Sequence, residues 1–71
     1  MKTTIGTIFY SLDEKEFLCF VTKIDYEHAK VNYFYINVDG IKEEVDREFN
    51  IIENWENERN FIFIHPWVWS I

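Results

Sequence analysis

A single cysteine, Cys19, excludes an internal disulfide, and two histidines, His28 and His65, are too few to complete an ordinary zinc set with it. Two glycines and one proline leave few sites for tight turns and exclude a low-complexity composition. No stretch approaches the ~20 apolar residues of a membrane-spanning helix. The opening MKTTIGTIFY lacks the apolar run and small-residue cleavage site of a secretory leader, so none is expected. A glycine-rich phosphate loop, a paired-cysteine motif and a nucleophile elbow are all missing, and no reaction is spelled out. Bases are scarce as well, seven against 13 acids. That balance disfavours direct binding of nucleic acid or of an anionic membrane, both of which need Lys and Arg. A lone cysteine amid apolar neighbours fits a reducing compartment, and the cytosol is the expected location.

What the chain has in abundance is aromatic side chains, seven Phe, four Tyr and three Trp in 71 residues. A domain this short buries only about 60% of its unfolded surface and is marginal without help. Rings that each bury roughly 150–250 Å² make a small core dense, and any surplus lies on the surface as contact area. One domain over residues 1–71 is expected, with no cofactor and no metal.

Strand signals dominate the first half. TTIGTIFY is β-branched and aromatic, and SLDEK follows as a polar turn. EFLCFVTKID sets Phe17, Cys19 and Val21 on one face and Leu18, Phe20, Thr22 and Ile24 on the other, which predicts a central strand covered on both sides. After YEHA, KVNYFYINV sets Val31, Tyr33 and Tyr35 opposite Phe34, Ile36 and Val38. Asp39-Gly40 is a two-residue hairpin signal. Val45, Phe49 and Ile52 then fall at i, i+4, i+7, and this spacing predicts a helix over 46–58, capped by Asp46 and ended by Asn57 or Asn60, after a short strand over 41–45. NFIFIHPWVWSI reads as a last strand that is an edge or bends at Pro66. The fold class is α+β, a small antiparallel meander of three to five strands with one helix.

Individual residues carry little chemistry. Asp25, Glu27 and His28 of DYEH match no strong metal signature, Cys19 has no indicated base, and His65 before Pro66 reads as structural. An enzyme is not expected. Trp67 and Trp69 alternate along the terminal segment with Ile71 continuing the row, a candidate hydrophobic or dimer contact.

Charge is unevenly placed. Residues 39–59 hold eight acids, Asp39, Glu43, Glu44, Asp46, Glu48, Glu53, Glu56 and Glu58, against Lys42, Arg47 and Arg59, which is −5 of the net −6. On a continuous helix Glu43 and Arg47 would form a weak i,i+4 pair, while Glu44 and Glu48 would repel. Such an acidic segment favours a basic partner. Carboxylates four apart on a helix (about 6 Å) or two apart on a strand (about 6.6 Å) also step at a spacing of the order of DNA phosphates, one per ~3.4 Å of axis on each strand.

Two resemblances follow. The segment GIKEEVDREFNIIENWENER together with Asp13, Glu14 and Glu16 of SLDEKEF resembles, in size and charge layout, the small acidic proteins that bacteriophages make to disable host machinery. That likeness implies a DNA mimic that occupies a basic host DNA-binding protein, such as a nucleoid protein of the HU class, in the bacterial cytosol. Four lysines outside the segment dilute the mimicry. The alternative is carried by GTIFYSLDEKEFLCFVTKIDYEHAKVNYFYI, which resembles the first three strands of SH3-like and Tudor-like barrels. It implies an interaction module holding a peptide or protein in an aromatic groove around Tyr26, Tyr33 and Tyr35.

Overall fold

The computed structural model describes residues 1–14, 17–40 and 42–69, the last two without their side chains. Five strands, β1 (Ile8–Ser11), β2 (Leu18–Asp25), β3 (Lys30–Ile36), β4 (Lys42–Glu48) and β5 (Phe61–Ile64), form one antiparallel sheet in the order β4-β3-β2-β1-β5. Helix α1 (Phe49–Asn57) joins β4 to β5, and a 3-10 turn over Pro66–Trp69 follows β5. The α+β class is as expected, with β2 central and β5 at an edge.

The sheet has two unlike faces. α1 is amphipathic and lays Phe49, Ile52 and Trp55 on one of them, where Phe9, Val21, Val31, Tyr33 and Ile52 are buried. Phe9 is the hub. Its ring stacks on Phe63 at 4.9 Å, meets Tyr33 edge-on at 5.0 Å and lies 6.0 Å from Trp55. On the other face Leu18 (51% exposed), Phe20 (44%) and Phe34 (36%) remain open, so β2 is covered on one side and not on both.

A bulge decides which side chains reach the core. β2 and β3 pair as Val21↔Tyr33 and then Lys23↔Asn32, leaving Thr22 as the extra residue. The extra residue resets the alternation. Ile24 therefore joins Val21 on the core face opposite Val31, and not Phe20 as strict alternation predicted.

The helix starts later than its spacing predicted. Val45 opposes Tyr33 and Glu48 opposes Lys30, so residues 42–48 continue the ladder on β3. Seven available backbone partners outweigh a helical spacing carried by one residue, Val45, and Asp46 caps nothing. Glu48 is the N-cap, in extended conformation and without a side-chain cap. The chain leaves the helix after Asn57, as expected, with the Glu58 N–H donating to the Trp55 carbonyl. On a strand Glu43 and Arg47 lie too far apart to pair, and the repulsion of Glu44 and Glu48 is relieved for the same reason.

Three further segments differ. Gly6, at φ +91°, turns the chain before β1, its N–H donating to the Val21 carbonyl, so the first strand covers only the end of TTIGTIFY. The β3–β4 connection is wider than Asp39-Gly40. Ile36 pairs with Lys42, and Gly40 donates its N–H to the Asn37 carbonyl, an Asn-first, glycine-last turn. Past Ile64, Pro66 opens the 3-10 turn, so Trp67 and Trp69 do not alternate along a strand. Trp67 instead stacks on His65 at 5.2 Å. The Trp69 side chain, Glu16, Ile41 and Ile71 lie outside the described residues.

Candidate functional site: an aromatic trough

Nine residues of helix span about 13.5 Å, too short to roof the whole core face. Beside α1 the sheet is left as an open trough of about 670 Å³. Trp55 and Phe61 form one wall, stacked at 4.8 Å and 8°. Phe17 and Tyr35 form the other, edge-to-face at 5.2 Å. Phe9, Cys19, Tyr33 and Val45 line it further, with Ser11, Asp13, Glu14, Arg47 and Asn60 as its polar groups.

The polar groups are held by local hydrogen bonds. Asp13 accepts from Asn60 Nδ2 at 3.1 Å, and its own N–H donates to Ser11 Oγ at 3.2 Å. This joins the β1–β2 turn to the segment before β5. Glu43 faces Tyr35 across β3 and β4, and its carboxylate accepts the tyrosine hydroxyl, which pushes the Tyr35 pKa up. Burial pushes the Tyr33 hydroxyl up to about 12, against the pull of Arg47. Cys19 is pushed up to about 11, first by burial and then by Glu14. It is a thiol at neutral pH, and a thiol is a poor nucleophile. The trough is thus ring-walled, holds carboxylates at Asp13 and Glu14, has Glu43 beside it and, among the described residues, meets one cation, Arg47. It suits a cation, by attraction to ring faces and carboxylates together.

Of the expected aromatic groove, Tyr33 and Tyr35 are brought together here. Tyr26 is not. It lies at the β2–β3 turn, 77% exposed, with its ring edge-on to Phe49 at 6.0 Å. Phe17, Trp55, Phe61, Arg47 and Asn60 were not singled out from sequence. Phe17 alone had a signal, its place on the Cys19 face of β2.

The acidic residues do not form one face. Glu44, Asp46 and Glu48 share the open side of β4, but Lys42 is in the same row and Lys30 Nζ lies 3.7 Å from Asp46. Glu43 points to the trough side. Glu56 Oε2 accepts from the Lys2 and Thr3 amides at 2.9 and 2.7 Å and from Thr3 Oγ1 at 2.6 Å, and Glu53 lies 3.5 Å from the terminal ammonium. Both therefore tie the N-terminal segment to α1. Asp39 is in the β3–β4 turn and Glu58 at the helix C-cap, both exposed.

Among the described residues no cluster of His, Cys, Asp and Glu is placed to hold a metal ion. In DYEH, Asp25 accepts from the His28 N–H at 3.1 Å, and its other oxygen meets His28 Nδ1 at 2.9 Å. The backbone bond, first of these influences, lowers the Asp25 pKa. The motif is a turn closure that lets Ala29 adopt φ +53°. No described helix is long and apolar enough to cross a membrane. In comparisons with known proteins, no family model, curated protein or solved structure matches this chain.

Proposed function

We propose that this chain is a non-enzymatic binding protein for a basic protein partner, and that a Lys or Arg side chain of the partner enters the trough. The observation that carries this reading is the trough itself, a ring-walled space whose charged lining among the described residues is Asp13 and Glu14 against Arg47. Each cation–ring contact contributes about 0.5–2 kcal/mol, the upper value when water is excluded. DNA-binding proteins, with their dense Lys and Arg, are the partner class this chemistry fits best, and an HU-like nucleoid protein is the member that the phage resemblance implies.

A second reading, direct mimicry of DNA, draws support from the row Glu44, Asp46 and Glu48, exposed at two-residue steps on an edge strand. Lys42 and Lys30 weaken it. The same row also protects the β4 edge from pairing with another chain, a role that needs no partner.

A pull-down from bacterial lysate at about 0.1 M and 0.5 M salt separates these, because exposed charge pairs are strongly screened over that range. The trough reading expects a basic protein that is lost with Tyr35→Ala or with Asp13→Asn plus Glu14→Gln, and kept when Glu44, Asp46 and Glu48 become amides. The mimicry reading expects the reverse, together with displacement by duplex DNA. Capture of no basic protein at either salt overturns both.

A further inference from the structure

The open face of the sheet is apolar in a contiguous block. Its first row, by register, is Ile64↔Ile8↔Phe20↔Phe34↔Glu44. The next is Ile62↔Tyr10, then Leu18↔Ile36↔Lys42, and the pairing Phe9↔Cys19 brings Tyr10 toward Leu18. Eight large apolar side chains therefore adjoin over four strands, and both rows end on β4 in a charge, one negative and one positive. Single exposed apolar residues are ordinary, but a block of this extent marks a contact surface. α1 packs on the opposite face and cannot cover it.

We infer that a second copy of the chain covers this face, the two sheets packing face to face about a twofold axis that runs across the strands between the two rows. A twofold interface must be self-complementary. An axis parallel to the strands would lay Glu44 and Lys42 of one copy on Ile64 and Ile62 of the other, burying charges without partners at high cost. The axis across the strands sets each first row on the other copy's second row. Ile64 meets Ile62, Ile8 meets Tyr10, Phe20 meets Leu18, Phe34 meets Ile36, and Glu44 meets Lys42, each contact occurring twice. Apolar falls on apolar and each carboxylate on an ammonium. Leu18, Phe20 and Phe34 are exposed and the other five half-buried, so the two rows with their charged ends offer an area at the lower end of what a standard dimer buries on each partner, roughly 600–1,000 Å². Sheets so packed lie about 10 Å apart. Both troughs stay open, since they are on the outer faces of the pair, and the inference does not depend on what they bind.

Sedimentation equilibrium over a concentration series tests it, with circular dichroism to verify folding. The wild type should dimerise. Phe20→Glu should be a folded monomer. Lys42→Glu alone, or Glu44→Lys alone, brings like charges together at two places and should weaken the dimer about tenfold or more. The double variant Lys42→Glu/Glu44→Lys should restore it, a rescue expected only if these two positions face each other across the axis. A monomer at every concentration overturns the inference. So does a dimer indifferent to Phe20→Glu, or one that the charge exchange fails to restore.

Discussion

His65 shows how one side chain can link pH to stability. It is 7% exposed, with Nδ1 3.1 Å from Thr7 Oγ1 and its ring stacked between Phe63 and Trp67. Burial lowers its pKa below the ordinary value of 6.5. The unfolded chain therefore takes up the proton first. The stability tied to the neutral ring is complete above about pH 6.5 and is lost as pH falls through the lower folded-state value. Thermal melts should show a midpoint falling from pH 7 to pH 5, with a flatter slope in His65→Gln. Glu56 is a second residue whose role lies in the fold. Three donors converge on one of its oxygens, so Glu56→Ala should destabilise by about 1.5–3 kcal/mol in a urea titration, the range for hydrogen bonds to a charged group. An acid read from sequence as part of a binding face is thus a structural clamp, because its partners, Lys2 and Thr3, are more than fifty residues away along the chain.

At the scale of elements, one extra residue and one strand end set the arrangement. Deleting Thr22 would remove the bulge and leave the faces as they are, because Lys23 already pairs with Asn32 and Ile24 with Val31. A cooperative melt should survive this deletion, since no lysine is turned toward the core. The start of α1 is weak by comparison. Glu48 holds the extended geometry of an N-cap but makes no cap bond. Glu48→Ser should stabilise the fold by about 0.5–2 kcal/mol, read from denaturant midpoints. The strand signals of residues 17–36 were legible because alternation over several residues is a strong pattern. The boundary between β4 and α1 was not, because Val45 satisfies a helical spacing and a strand pairing equally well and only β3 decides between them.

Over the whole molecule, neither charge nor apolar area is confined to one face of the sheet. A net −6 on a small domain repels itself. Raising salt from about 0.05 M to 0.5 M should lift the thermal midpoint by a few degrees as that repulsion is screened. The rise should shrink when Glu44 and Glu48, which make no ion pair within 4 Å among the described residues, become Gln. Salt should act oppositely on capture of a basic partner, weakening it. The two trends together separate self-repulsion from binding.

Composition determined that this chain needs an aromatic core and has no internal disulfide, and the order of its residues placed the excess charge in residues 39–59. Alternation determined most of the strands, because side-chain direction is a local property of the backbone. Only the tertiary structure decided how these parts are shared out. The bulge at Thr22 reassigned Ile24, pairing with β3 turned the expected start of a helix into strand, and the acidic run divided among an open face, a trough, a helix end and an N-terminal clamp. Each of those outcomes depends on a partner distant in sequence, and a pattern read within one segment holds no information about which distant segment will lie against it.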